Sequence, residues 1–350
     1  MTENTFRKID MENYNPEDKI FITTLYLSES GSSVDISNER LLVTKNDIVI
    51  FSLPCIKFKQ VVILAKLNLL PNFISYCLEK EIPVVFLSSN GYYKGRLLSN
   101  GFHEVRALQY QLAYNNEAKN VLRTSKAFIA GKIRNYSHFI KNTFPLYNSE
   151  AEKLLLMSNE LYKSKSLEEL RGFEGSAAAM YFSIIKNEFE HLGFTKRVKR
   201  PPTDMINGLL SFGYTILYSN IISILLINHL NPYIGIFHVL DQTHASLASD
   251  LMEEFRAYAV DRVVFSLMKT NTFTKEDFFI TETGGYYLQS QAKRKFISCL
   301  EKSFNEIFLH PETNFKVSLK KLIDLQSKQL YRVIKREDKD YIPMLFEKEG

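Results

Sequence analysis

The spacing of apolar residues changes near His103, and this change constrains the fold more than any other feature of the chain. Between Ile20 and about Leu98, short apolar runs are bounded by Asn, Asp, Gly and Pro, as is typical of strands. After His103, apolar residues mostly recur every three or four positions, as in amphipathic helices. The sequence therefore predicts an α+β fold, with a small N-terminal β-rich domain (1–103) and a larger all-α domain (104–350).

The N-terminal part carries further signals for individual elements. The predicted strands are FITTLYLS, ERLLVTK, IVIFSLP and KQVVILAK. Residues 71–89 predict a short helix and then a buried strand, because Pro71 suits a first helical turn and a β-branched run follows Pro83. Residues 91–98 predict a terminal strand or a hairpin arm, and a linker is expected near 99–105. Residues 1–20 are polar and lack the apolar core of a signal peptide, which predicts a flexible leader.

The cysteines indicate a reducing compartment. Cys55, Cys77 and Cys299 are odd in number and far apart in sequence, and they form neither a zinc spacing nor a disulfide framework. We therefore expect a cytoplasmic protein. The formal net charge of +5 is a mild basic excess that is consistent with nucleic-acid binding. The longest apolar run (214–227) falls short of the ~20 residues that span a bilayer, so it predicts a buried helix and no membrane partner.

Four titratable residues lie among apolar or small neighbours: Glu174, His238, Asp250 and Glu253. A buried carboxylate or imidazole is costly unless it is paired or bound to a metal, so the four suggest a single cation site. The small residues around Glu174 leave room near its carboxylate and allow helices to approach closely. Asp250 and Glu253 are spaced i, i+3 on a predicted helix and share a face. Glu254 lies ~100° around that helix, which predicts contact with solvent or a salt bridge.

Each position also has an ordinary structural interpretation. Glu174 fits the start of a helix, where the helix dipole favours a carboxylate. His238 follows an apolar stretch and fits a core histidine with its hydrogen bonds satisfied. The segment 250–256 fits an amphipathic helix with an acidic outer face. From the residues alone, these alternatives stay open.

The same positions carry a resemblance to a known family. The stretches concerned are GFEGSAAAMYF (172–182), RVKRPPTDMINGLLSFGY (197–214), NPYIGIFH (231–238) and SLASDLMEEFR (246–256). They resemble the motifs of the CRISPR-associated adaptation integrase, the endonuclease that inserts new spacers into a CRISPR array. The resemblance extends from about Leu25 to about Phe346. It implies a β domain followed by a helical domain, which is also what the apolar spacing predicts.

The resemblance also implies functions for individual residues. The implied catalytic residues are Glu174, His238, Glu253 and Tyr214. The implied metal ligands are Glu174, His238 and Glu253, with Asp250 at a further acidic position of the same block. Two carboxylates and one imidazole suit Mg²⁺ or Mn²⁺. Tyr214 matches a tyrosine that lies near the DNA ends in the family, although core packing and base stacking explain a tyrosine there too.

A basic run precedes the helix that carries Tyr214. Its members Lys196, Arg197, Lys199 and Arg200 predict phosphate contacts, with a solvated loop as the alternative. The family adds Asn207 on the following helix to the DNA-binding residues. A partly basic face is predicted along the first helices, from Arg106, Arg123, Lys126, Lys132 and Arg134. Asp241 and His244 stand in a loop where the family is rich in Gly, Arg and Pro, and neither has an assigned role.

The resulting hypothesis is a metal-dependent DNA integrase and endonuclease of CRISPR adaptation. A DNA 3′-hydroxyl would attack a target phosphodiester by transesterification, and water would give cleavage at the same site. The resemblance implies a homodimer formed through the β-rich part and a small bridging partner protein. Its DNA would be double-stranded DNA with 3′ ends and CRISPR repeat DNA. Two alternatives are a non-catalytic DNA-binding scaffold with structural acids and a phosphoesterase of small substrates.

Overall fold

The computed structural model describes residues 24–88, 91–97, 99, 105–238, 244–310 and 315–346. The predicted leader (1–20) and the predicted domain boundary at 103 and 104 lie outside these residues, as does most of the predicted linker.

The N-terminal part is built from eight described strands and one helix. They are β1 (Thr24–Leu27), β2 (Ser33–Ser37), β3 (Arg40–Lys45), β4 (Ile48–Pro54), β5 (Gln60–Ile63), β6 (Asn68–Leu69), α1 (Pro71–Glu79), β7 (Val84–Leu87) and β8 (Tyr93–Leu97). One sheet has the order β1–β5–β7–β8, in which β8 alone is antiparallel to its neighbour. The other has the order β4–β3–β2–β6. The predicted strands and the predicted helix–strand unit are confirmed.

The first sheet contacts two hydrophobic cores. All residues of β5 are buried, as is typical of a central strand covered on both faces. Side chains alternate along a strand, so Val61 and Val62 point to opposite faces. Val61 packs in the N-terminal core with Phe73 of α1, whereas Val62 and Val85 pack in the core of the helical part. The sheet is therefore shared between the two parts of the molecule.

The C-terminal part is mainly helical. Its helices are α2 (Val105–Asn115), α3 (Ala118–Thr143), α4 (Asn148–Glu160), α5 (Leu167–Phe189), α6 (Met205–Ile227), α7 (Ser246–Met252), α8 (Arg262–Lys269), α9 (Ser290–Phe304) and α10 (Leu319–Lys335). A π-helical turn (Ala257–Asp261) precedes α8. The predicted fold class is confirmed. Two short ribbons that the sequence did not predict also occur here, formed by β9 (Phe278–Ile280) with β10 (Tyr286–Leu288) and by β11 (Ile307–Leu309) with β12 (Lys316–Ser318).

Helix α6 passes through the centre of the helical part. Asp204 caps its start by accepting a hydrogen bond from the backbone N–H of Asn207 at 2.8 Å. Gly213 permits close packing, because a Cβ there would lie 2.6 Å from Val260. Within the described residues, α6 alone is long and apolar enough to cross a membrane, but 78% of its apolar window is buried inside the protein. The predicted buried helix is thus confirmed.

Candidate functional site

A single open groove of about 1210 Å³ brings together residues from distant parts of the sequence. The predicted site residues that line it are Glu174, Lys196, Arg197, Lys199, Arg200, Tyr214, His238 and Glu253. Two predicted site residues, Asp250 and Asn207, are fully buried and do not line the groove. Lys132 and Arg256, which were not predicted to belong to a site, also line it.

Glu174 lies on the groove side of α5, and about a quarter of its side chain is exposed. Helix α5 starts at a good N-cap, because the Ser166 side chain accepts a hydrogen bond from the Glu169 N–H. A Cβ added at Gly172 or Gly175 would meet nothing within 4 Å. These two glycines leave open space beside the carboxylate, and the predicted close approach of another helix does not occur at them.

Lys132 of α3 joins the two predicted catalytic glutamates. Its Nζ lies 2.6 Å from Oε1 of Glu174 and 2.8 Å from Oε2 of Glu253. The prediction that Lys132 belongs to a basic surface is wrong, since the side chain is only 5% exposed. Burial alone would lower its pKa, but Glu253, Tyr136 and Glu174 together raise the pKa of Lys132 above its usual value. Lys132 is therefore a buried ammonium that bridges two carboxylates.

Glu253 follows the last residue of α7 and is almost fully buried. Its Oε1 accepts a hydrogen bond from Nη2 of Arg256 at 3.0 Å, one helical turn away. Its Oε2 contacts Lys132 but has no partner in hydrogen-bond geometry. Burial favours the neutral acid, yet the neighbouring Arg256 and Lys132 lower the pKa of Glu253 to about 2. This carboxylate is therefore ionised, with one oxygen incompletely satisfied.

Asp250 lies behind His238 and orients it. Its Oδ2 accepts backbone N–H bonds from Ile236 at 2.6 Å and Phe237 at 3.1 Å. Its Oδ1 accepts the His238 N–H at 2.9 Å and lies 2.6 Å from Nδ1 of the same residue. A carboxylate only accepts, so Nδ1 carries the hydrogen and Nε2 is the ring atom left for other contacts. With both oxygens already used, Asp250 has the geometry of a residue that positions His238 and not of a ligand.

The backbone before His238 requires a glycine. A Cβ at Gly235 would lie 2.5 Å from the Ser246 Cβ and 2.7 Å from the His238 carbonyl oxygen. The segment can therefore pack tightly over the start of α7 only because Gly235 has no side chain. This packing allows the three N–H groups of residues 236–238 to reach the same carboxylate.

The donor types fit a hard divalent ion, because two carboxylates and an imidazole are ligands of Mg²⁺ and Mn²⁺. Oε2 of Glu253 lacks a hydrogen bond of good geometry and contacts a cation, the Lys132 ammonium, at 2.8 Å, so this oxygen suits a positively charged partner. As placed, however, no three His, Cys, Asp or Glu side chains within the described ranges come close enough to hold an ion. The carboxylates are held by the Lys132 ammonium instead.

The basic loop lies along the groove, but its members differ. Lys196, Lys199 and Arg200 are exposed. Arg197 is half-buried and donates to Asn207 Oδ1 at 2.9 Å and to Ser211 Oγ at 3.1 Å. The buried Asn207 amide also donates to the Lys196 carbonyl at 2.8 Å. Arg197 and Asn207 thus hold the loop in place. Asn207 itself is buried and contacts the loop, not the groove.

Tyr214 lies in the groove floor and is mostly buried. Its hydroxyl donates to Oδ1 of Asp261 at 2.5 Å, and the Tyr181 hydroxyl donates to Oδ2 at 2.9 Å. The Arg256 guanidinium lies over the Tyr214 ring, 4.7 Å from its centroid. Burial raises the pKa of Asp261 to about 6 despite the two tyrosine hydroxyls. Asp261 ends the π-helical turn, a distortion frequently found at functional sites.

His244 also lines the groove, whereas Asp241 lies outside the described residues. The His244 ring stacks on Tyr218 with centroids 5.3 Å apart, and its Nε2 lies 2.6 Å from Ser249 Oγ. His244 and Tyr218 thus form an aromatic pair that lines the groove.

The prediction that Glu254 contacts solvent or forms a salt bridge is wrong. The side chain is fully buried and accepts hydrogen bonds from the Tyr341 hydroxyl and from the Met344 N–H at 2.6 Å. Asn135 of α3 binds the same C-terminal segment, donating to the Met344 carbonyl at 2.9 Å and accepting from the Phe346 N–H at 3.1 Å. Glu254 is thus an anchor for residues 341–346.

Known proteins match this chain over most of its length. The family model for CRISPR associated protein Cas1 matches residues 25–302. A CRISPR-associated endonuclease Cas1 from Thermus thermophilus is 31% identical, with 91% of this chain and 93% of the relative covered. Another from Moorella thermoacetica is 28% identical, with 93% and 99% covered.

Solved structures show the same fold at lower sequence identity. A CAS1 protein from Thermotoga maritima aligns with a TM-score of 0.77 at 22% identity, covering 93% of this chain and 100% of the other. A casposase bound to integration product aligns with a TM-score of 0.80 at 22% identity, covering 93% of each chain. Given the family match over residues 25–302 and the Thermus thermophilus relative, this chain belongs to the CRISPR-associated Cas1 family.

Proposed function

We propose that the protein is a metal-dependent DNA endonuclease and integrase that inserts short DNA fragments into a CRISPR repeat array. The observation that carries the proposal is the groove, where Glu174, His238 and Glu253 converge beside a basic loop. Such a groove suits a polyanionic substrate whose backbone passes an acidic, cation-binding centre. Relatives from Thermus thermophilus and Moorella thermoacetica are named endonucleases, which supports a nuclease activity.

In this proposal, Glu174, Glu253 and the Nε2 of His238 hold Mg²⁺ or Mn²⁺. When bound, such an ion polarises a phosphodiester and stabilises the charge on the leaving oxygen. Asp250 keeps the imidazole turned so that Nε2 faces away from it, and Arg256 fixes the Glu253 carboxylate. The buried, ionised state of Glu253 supports its use as a ligand.

The exposed cations position the DNA. Lys196, Lys199 and Arg200 contact phosphates beside the scissile bond, while Arg197 and Asn207 keep their loop in place. Tyr214, fixed by Asp261, lies next to the reacting strand. The attacking 3′-hydroxyl oxygen forms a bond to phosphorus while the P–O bond to the target strand's 3′-oxygen breaks. The proton lost by the attacking hydroxyl is balanced by the one that the leaving oxygen takes up from solvent to become a new 3′-hydroxyl. Water in place of the 3′-hydroxyl gives cleavage.

The exposed strand β4 supports a homodimer formed through the N-terminal part. It lies at the edge of its sheet and presents Ile48, Val49, Ile50 and Phe51 to solvent. An exposed apolar edge strand is a surface for pairing with another chain. A structure titled Cas6-RT-Cas1–Cas2 complex contains a similar fold at 24% identity and a TM-score of 0.79, in keeping with a small bridging partner protein. We place this assembly in the cytoplasm, with double-stranded DNA carrying 3′ ends and CRISPR repeat DNA as its substrates.

A single incubation distinguishes this function from its alternatives. The purified protein is mixed with branched DNA in Mn²⁺ or in EDTA, and strand transfer and cleavage are followed on a denaturing gel. Ion-dependent products support the proposal. DNA binding without products would favour a scaffold, and turnover of small phosphoesters but not of DNA would favour a phosphoesterase.

A further inference from the structure

Lys132 occupies the position between the two catalytic carboxylates. Its Nζ contacts one oxygen of Glu174 on α5 and one oxygen of Glu253 beyond α7, so one ammonium joins three helical segments. An ion bound to both oxygens at about 2.0–2.1 Å would have to occupy nearly the same small volume as this ammonium. The two cations therefore exclude each other at the carboxylates.

The charges around the two carboxylates lead to the same conclusion. The negative charges of Glu174 and Glu253 are matched by the positive charges of Lys132 and Arg256, which contact them directly. A divalent ion added beside the ammonium would meet a repulsion twice that between two single charges at the same distance. Arg256 is held by its bond to Glu253 and by the Tyr214 ring. Lys132 also lies over a ring, that of Tyr136, but its charge is a compact ammonium on a flexible stem, which allows it to leave.

The groove provides a destination for the displaced ammonium. Lys132 lines the same open groove as the exposed Lys199 and Arg200, where a DNA phosphate would lie. A phosphate offers anionic oxygens in exchange for the carboxylate oxygens that the ion takes over. Ion binding and DNA binding would then favour each other, and this coupling acts equally in both directions.

Resting on the metal site proposed above, we infer that Lys132 is a positioning residue that competes with the divalent ion for Glu174 and Glu253 until DNA phosphate accepts its ammonium. It keeps the two carboxylates together and neutralised in the ion-free protein. The same contact weakens ion binding in the absence of DNA, so the site fills mainly when substrate is present.

The test is direct Mn²⁺ binding to the DNA-free protein, measured from the free-ion signal in electron paramagnetic resonance. Lys132→Met removes the ammonium and is expected to tighten Mn²⁺ binding by about tenfold or more, since the two carboxylates lose their competitor. Lys320→Met is the matched control, because Lys320 is equally buried and lies 2.7 Å from Glu301, away from the groove. It should leave Mn²⁺ affinity unchanged. Lys132→Arg keeps the charge and should not tighten binding.

Adding Glu253→Gln to Lys132→Met should abolish the gain. If Lys132→Met proves unstable, Lys132→Gln keeps a polar end and is expected to tighten binding as well. The inference is overturned if either folded variant binds Mn²⁺ no more tightly than the wild type while Glu253→Gln alone weakens binding. If Glu174→Gln and Glu253→Gln leave Mn²⁺ binding unchanged in every background, the proposed metal site fails and this inference with it.

Discussion

Glu253 and Glu254 are adjacent in sequence and both buried, yet one is surrounded by cations and the other by neutral hydrogen-bond donors. Glu253 faces the groove, where Arg256 and Lys132 outweigh the effect of burial and lower its pKa to about 2. Glu254 faces the C-terminal segment, where its partners are a tyrosine hydroxyl, a backbone N–H and the Gln326 amide. Burial without a cation raises the pKa of Glu254 to about 8.

The difference shows that burial alone does not identify a functional carboxylate. The two residues lie in the turn that follows α7, where one step along the backbone separates the groove from the protein interior. Cations on the groove side keep Glu253 charged. Neutral donors on the other side allow Glu254 to keep its proton and act as a hydrogen-bonded anchor.

The largest expected effect is a difference in DNA strand transfer and cleavage between variants of Glu253 and variants of Glu254. Glu253→Gln is expected to reduce Mn²⁺-dependent strand transfer and cleavage by about 1000-fold or more, because the proposed metal site would lose a ligand. Glu174→Gln should do the same, and the double variant should be no worse, since one ion is lost in each case. Glu254→Gln keeps the anchor and should remain within a few-fold of the wild type. A folded Glu254→Gln protein as inactive as Glu253→Gln would break the comparison.

A third buried carboxylate, that of Asp261, should make the stability of the folded protein depend on pH. Its usual pKa of 3.8 is raised to about 6 in the folded protein. Between these values the unfolded chain loses its proton first, so wild-type stability falls as pH rises from about 4 to above 6. Asp261→Asn cannot ionise, and its stability relative to the wild type should rise by up to roughly 3 kcal/mol over that window. Urea unfolding at pH 4 and pH 7 measures the change; a difference that does not vary with pH would contradict the assignment.

The packing of the C-terminal segment that Glu254 binds can be tested by substituting the glycine next to it. A Cβ at Gly131 would lie 2.6 Å from the Pro343 Cβ, beside the segment that Glu254 holds. Gly131→Ala should therefore reduce the free energy of unfolding by about 1–3 kcal/mol. Gly172→Ala is the control on α5, where an added Cβ meets nothing, and it should stabilise by ~0.5–1 kcal/mol. Equal effects of the two substitutions would show that the C-terminal segment is not packed as described.

The smallest effect concerns the exposed cations of the groove. Replacing Lys199 and Arg200 with Ala should lower the salt dependence of DNA binding by about 2 units of slope, because two phosphate contacts are lost. Binding should weaken to a similar degree on DNA of any sequence. Fluorescence anisotropy in EDTA at several salt concentrations measures the slope, and an unchanged slope would assign the loop a role apart from DNA.

The division into a β-rich and a helical part was predictable because apolar spacing is a local property of the sequence. The ribbon of β9 and β10 was not, since three-residue strands are too short to show alternation. The candidate ligands were found through their motifs, whereas Lys132 was missed because its partner Glu174 is 42 positions away. Glu254 was placed at the surface by helix geometry, which contains no information about the C-terminal segment that covers it.

The sheet that Val61 and Val62 share between two cores has a consequence for how the chain can be divided. A cut near residue 104 would leave Val62 and Val85 without a hydrophobic partner on one fragment and uncover the matching helical surface on the other. Neither half is a module that could be transplanted to another protein intact. Separately produced halves should instead be poorly soluble alone and regain solubility when they are produced together.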